Sequence, residues 1–153
     1  MRLSVEQIIK FQTEGYLIAE NVLSDADLAP VINELTDIID QRARSLKSEG
    51  KINDLYENEP FDRRYALLYS QCKEIGSQFD IMFLRGKAMF QFLLNDNLLD
   101  IVECLLGTEL SCNPIQHIRA KIPSNGVRDT FHDVPWHQDA GVTWEEADAS
   151  EIL

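Results

Sequence analysis

The sequence predicts an α+β chain, mainly helical over residues 1–107 and strand-rich over 108–153. Three observations predict it. Apolar residues recur at three- and four-residue intervals through the first two thirds, which is the period of a helix with one buried face. Capping residues and glycines bracket those stretches. From Ile115 to Ile122 the pattern switches to alternation, the period of a strand with one buried face.

The elements follow in order. Ser4 and Gln7 form a capping box, and Ile8, Ile9 and Phe11 give the first helix its apolar stripe. Gly15 sits where that helix stops, because glycine enters the left-handed region without steric cost. Residues 16–19 read as a short extended piece. Ser24 with Asp27 opens a second helix, in which Leu28, Val31, Ile32, Leu35, Ile38, Ile39 and Leu46 line one face. Glu34, Asp37, Asp40 and Arg42 are expected to face water. Residues 48–62 are polar, with Gly50, Asn53, Asn58 and Pro60, and read as a loop. Helical pattern returns over 63–72 and 81–94. Asn95, Asp96 and Asn97 offer caps for a helix through Leu98, Ile101, Val102 and Leu105, ended by Gly107.

In the second region, Gln116, Ile118, Ala120 and Ile122 share one face of the expected strand, and His117, Arg119 and Lys121 the other. Residues 123–126 (Pro-Ser-Asn-Gly) form a turn cluster, and a second extended piece runs through Val134, Trp136 and Gln138. Ser150 to Leu153 could start a third strand. Two or three strands cannot close a sheet of their own. The expectation is therefore one domain, 1–153, that continues in a longer protein.

Composition narrows the function. The 153 residues carry 14 Lys+Arg against 26 Asp+Glu, a formal charge of −12. That disfavours a general nucleic-acid binder, which needs clustered cations, and an anionic membrane surface. No apolar run is long enough to span a bilayer, and no leader with an apolar centre opens the chain. Cys72, Cys104 and Cys112 show no CxxC spacing, so the expectation is a reducing, cytoplasmic setting; Cys104 and Cys112 read as small buried hydrophobes.

The segment that carries chemistry is Val134-Pro-Trp-His-Gln-Asp-Ala-Gly-Val-Thr-Trp144. On an extended backbone, positions i and i+2 point the same way, so His137 and Asp139 would project an imidazole and a carboxylate together. That pair is two thirds of a 2-His-1-carboxylate triad, a donor set suited to Fe(II) with open positions for oxygen and an organic co-substrate. Alternatively the pair is a surface His bonded to a nearby carboxylate. Gln116 reads either as a contact to co-substrate or as a buried amide bonded to backbone. Trp144 reads either as a wall of a substrate pocket or as ordinary packing. His132 and His117 read as surface or supporting residues.

Several landmarks resemble the phytanoyl-CoA dioxygenase family. They are Phe11, Gly15 and Tyr16, then Val22-Leu23-Ser24, Leu105-Leu106-Gly107, Lys121-Ile122-Pro123 and Trp136-His137-Gln138-Asp139. The resemblance runs from about Val5 to Leu153. It implies a double-stranded β-helix (jelly-roll, cupin-like) preceded by helices, of which this chain would hold only the first strands. It implies Fe(II) and 2-oxoglutarate as cofactors, with hydroxylation of a small organic substrate by molecular oxygen. His137 and Asp139 would be metal ligands, Gln116 a co-substrate contact and Trp144 a substrate contact. Asp139 implies hydroxylation rather than halogenation, since related halogenases carry a small residue there. The family's second iron-binding His and its 2-oxoglutarate-binding Arg have no match here, so the 153-residue chain is expected to bind iron weakly and to turn over nothing alone. The other functional class open to the sequence is an acidic, mostly helical interaction module whose His-x-Asp is incidental.

Overall fold

In a computed structural model, residues 2–81, 83–112, 118 and 120–122 are described. The chain divides into two units, Met1–Ile118 and Arg119–Leu153. Of the second unit only residues 120–122 are described, and they are neither helix nor strand.

The described residues of the first unit form five helices and one 3₁₀ turn. They are α1 (Val5–Glu14), α2 (Asp25–Ser48), α3 (Phe61–Gln71), the 3₁₀ turn Lys73–Gly76, α4 (Lys87–Phe92) and α5 (Asp96–Leu106). Local chemistry sets most of their ends. Ser4 and Gln7 bond reciprocally at the start of α1, and Gly15 closes it at φ 79°. Ser24 and Asp27 do the same at the start of α2. The Asn95 side chain accepts from the Leu98 N–H at 3.1 Å to open α5, and Gly107 ends it at φ 94°.

The long α2 is the hub, against which α3, the 3₁₀ turn and α4 all pack. Its inward stripe is Leu35, Ile39, Ala43 and Leu46, all buried. Ala43, fully buried in the C-terminal third of the helix, allows close approach there. From α3 come Tyr65, Leu68 and Tyr69, and from the 3₁₀ turn Ile75. Leu68 is fully buried. Leu35, Leu84 and Met89 form the seam between α2 and α4, with Val31, Ile38, Phe79, Ile81 and Ile118 packed around it.

Two expectations are corrected here. The first is the fold class: the described residues are helical and contain no β-strand, so the expected opening of a double-stranded β-helix over 108–153 is not found among them. The physical reason lies at Ile118. A strand needs a neighbour to complete its ladder of hydrogen bonds, and period-two burial alone does not supply one. The apolar side chain at 118 finds its burial against the helical α2–α4 seam instead. Residues 16–19 are also irregular, with Tyr16 and Ile18 largely exposed. The extended pieces expected over 134–138 and 150–153 lie outside the described residues.

The second correction concerns residues 81–94. The expected helix shrinks to the six residues of α4. Gly86 starts it, and the Glu34 carboxylate of α2 fills the space beside the glycine, where a Cβ would fall on that carboxylate. A helix running through 81–86 would give the Ala88 and Met89 N–H groups to the carbonyls of residues 84 and 85, but the Glu34 carboxylate takes them instead.

Candidate functional site

Three polar junctions hold the helices of the first unit, and each is anchored on α2. At its start, the Asp27 carboxylate accepts from the Ser24 N–H at 2.8 Å, from the Ser24 hydroxyl at 2.6 Å and from the Asn95 amide at 2.8 Å. The cap of α2 is thereby tied to the cap of α5. Ser24 and Asn95 hold the Asp27 carboxyl down at about 2, led by the Ser24 hydroxyl. Beside this joint lies a cavity of about 380 Å³ lined by Asn21, Val22, Leu23, Ser24, Asp27 and Asn97.

Two turns further along, Glu34 reaches the start of α4. Its two oxygens accept from the Ala88 N–H at 2.9 Å and the Met89 N–H at 3.2 Å. A carboxylate at this end of a helix satisfies orphan donors and complements the dipole.

The third junction is buried. Arg64 on α3 is 6% exposed. Its Nε donates to the Leu55 carbonyl at 3.1 Å and its Nη2 to Asp40 at 2.6 Å. Arg44 holds the other Asp40 oxygen at 2.7 Å and also pairs with Glu57. Two guanidinium groups, Arg64 first and then Arg44, keep the Asp40 carboxyl below the usual range. Beside them, Arg42 donates to the Ile75 carbonyl at 3.4 Å and the Gln78 carbonyl at 3.2 Å, and stacks 5.7 Å over the Phe79 ring. Burial lowers its pKa from the ordinary value. Burial also pushes Tyr65 up to about 12, so that phenol stays protonated.

Chemically these junctions are joints rather than reaction centres. Each carboxylate is already committed to protein donors. Among the described residues no group of three or more His, Cys, Asp and Glu could hold a metal ion. None of the three histidines is among them. No helix among the described residues is long and apolar enough to cross a membrane.

The residues singled out by sequence fall elsewhere. His137, Asp139, Gln116 and Trp144 all lie outside the described residues, as do His117 and His132. Lys121 is described and exposed. Cys104 is half-buried, as a small hydrophobe would be. Its sulfur accepts from the Leu3 N–H at 3.4 Å and donates to the Asp100 carbonyl at 3.1 Å. Cys112 is exposed, which corrects the expectation that it is buried.

Glu34, Asp40 and Arg42 correct another expectation. They lie on the polar side of α2 but face other elements of the fold, and only Asp37 is exposed as expected. Gly86 is the one sequence signal that could have exposed the role of Glu34. A glycine opening a short helix marks a close approach by something.

No family model, curated protein or solved structure matches this chain. The functional reading therefore rests on the residues themselves.

Proposed function

We propose that this chain supplies two iron ligands, His137 and Asp139, to a non-haem Fe(II), 2-oxoglutarate-dependent oxygenase that hydroxylates a small organic substrate. The observation that carries the reading is the stretch Trp136-His137-Gln138-Asp139-Ala140-Gly141, the last of an ordered series of landmarks. Part of the described series lies at helix boundaries, whereas Phe11 lies inside α1 and Lys121 and Ile122 lie outside any helix. Gly15 ends α1, Val22-Leu23-Ser24 leads into the cap of α2, and Gly107 ends α5.

The donor chemistry fits the metal. A neutral imidazole nitrogen and a carboxylate oxygen suit Fe(II), whereas thiolates would favour zinc or copper(I). When bound, Fe(II) would bind and activate molecular oxygen, the oxidant, and 2-oxoglutarate would supply two of the four electrons it takes up, with loss of carbon dioxide, the substrate C–H supplying the other two. The chain's own residues hold and orient. His137 donates through one ring nitrogen and must be neutral to do so; Asp139 supplies an oxygen and offsets the cation's charge. Gln116 contacts the co-substrate through its amide, and Trp144 walls the substrate side and excludes water. Two protein donors make a weak site, and the 153-residue chain turns over nothing by itself. Three cysteines without CxxC spacing place the protein in the reducing cytoplasm.

The test is a titration of the chain with Co(II), read by its visible absorption. The expected result is a weak one-to-one band that His137→Ala and Asp139→Ala each abolish and that fades below about pH 6.5, as the imidazole protonates. A band unchanged in both variants overturns the reading. An oxygen electrode recording 2-oxoglutarate-dependent consumption by this chain would overturn its inactivity.

A second reading draws on a different observation. Neither α1 nor α5 contains a buried residue, although both are amphipathic. Helices left this way suit an acidic interaction module, with His137 and Asp139 incidental. Absence of any Co(II) band in the unmodified chain favours it.

A further inference from the structure

The least expected surface lies on α4 and the run leading into it. From Ile81 to Asn95 there is no acidic residue, in a chain that has 26. The charges in that stretch are Arg85 and Lys87, both exposed. Most other described cations are engaged: Arg2, Lys10, Arg44, Lys51, Arg63 and Arg64 each hold a carboxylate. Arg85 and Lys87 have neither an ion pair nor a hydrogen bond to another described side chain. The same stretch exposes three large apolar side chains, Phe83 at 63%, Phe90 at 67% and Leu94 at 60%.

Helical spacing organises this surface. Met89 points inward, into the α2–α4 seam. Lys87 and Phe90 stand three residues apart on the outward side, and Leu94 follows four residues after Phe90, just past the helix end. The stretch thus presents exposed apolar side chains on either side of two cations, Phe83 before Arg85 and Lys87, and Phe90 and Leu94 after them. In an acidic chain whose overall field draws basic partners, the local chemistry here asks for the opposite sign.

We propose that the outward face of α4, with Phe83 and Arg85 before it, docks an acidic amphipathic helix of a partner protein. The partner's apolar stripe would cover Phe83, Phe90 and Leu94, and its carboxylates would meet Arg85 and Lys87. Exposed apolar side chains flanking two cations match the apolar stripe and carboxylates of a helix laid alongside. A nucleic acid is the poorer match, because its continuous phosphate charge meets the repulsion of a −12 chain over many contacts. The short stretch corresponds to a transient rather than a permanent association.

The experiment compares two fluorescein-labelled helical peptides, one patterned Leu/Glu and one Leu/Lys, by fluorescence anisotropy at about 0.15 M salt. Net charge alone predicts that the Leu/Lys peptide binds. The proposal predicts saturable binding of the Leu/Glu peptide, weakened about tenfold or more by Phe90→Ser and by the paired change Arg85→Glu with Lys87→Glu. Leu106→Ser, on α5, leaves it unchanged. All four substituted positions are exposed, and circular dichroism melts check that each variant folds. Preference for the Leu/Lys peptide, binding of neither, or Leu/Glu binding indifferent to the α4 substitutions overturns the proposal. So does a dimer in sedimentation equilibrium that Phe90→Ser dissociates, since the face would then belong to a second copy.

Discussion

α2 and α5 begin alike and end differently. Each has a polar side chain at its cap, acidic residues in its first turn and an apolar stripe. Yet α2 buries four residues and α5 none. Amphipathicity chooses a face; it does not provide the surface that covers it. α2 receives α3, the 3₁₀ turn and α4, whereas α5 is held at its ends, by Asn95 on Asp27 and by Leu3 and Arg2 on Cys104 and Glu103. Stability should therefore concentrate around α2.

The comparison breaks first, if it is wrong, at Leu68. Leu68→Ala empties a fully enclosed position and should cost about 2–5 kcal/mol, whereas Leu99→Ala on α5 should cost about 1 kcal/mol or less. Urea denaturation of both variants measures the contrast, and equal losses would mean that α5 has a covered face after all. Next comes Arg64→Ala. It strands the Leu55 carbonyl and one Asp40 oxygen, with an expected loss of about 2 kcal/mol, while Lys10→Ala at the exposed pair with Glu14 should change little.

Smaller is the Glu34 latch. Glu34→Ala and Gly86→Ala should each cost about 1 kcal/mol, and the double variant should cost clearly less than their sum, because both act on the same cap. Additive losses in a double-mutant cycle would show that Gly86 matters for another reason.

The subtlest contrast is in acid. Asp27 has a folded pKa of about 2 against an ordinary 3.8. Its ionised form contributes stability that is fully present above the ordinary value and is lost as pH falls through the folded value. The stability difference between the wild type and Asp27→Asn should thus stay level at neutral pH and shrink between about pH 4 and pH 2. A difference flat across that window would remove Asp27 as the tie between α2 and α5.

These contrasts also mark what the residues alone could reveal. Caps were legible because a cap involves side chains only three residues apart, as at Ser4 with Gln7 and Ser24 with Asp27. The start and end of α5 were legible for the same reason. The roles of Glu34, Asp40 and Arg42 were not, because their partners at residues 88–89, 64 and 75–78 are distant in sequence. On a helical wheel they are simply polar. The helix expected from 81 begins only at 87, because Glu34, distant in sequence, takes the N–H groups of Ala88 and Met89 that a longer helix would use. At the described positions 118 and 120–122 the expected strand is absent, because alternation reports which side chains seek burial, and the helical seam takes Ile118 without a sheet. The metal reading stands on His137 and Asp139, whose two-residue spacing is a purely local signal.

That reading is tested most directly by nitrogen-resolved NMR of the chain with sub-stoichiometric Mn(II), a paramagnetic stand-in for Fe(II). The many carboxylates of this acidic surface offer the metal every alternative. Selective broadening of the signals from residues 136–140 at the lowest additions is the predicted result. Broadening that starts instead at the acidic residues of α2 and α5 would contradict it.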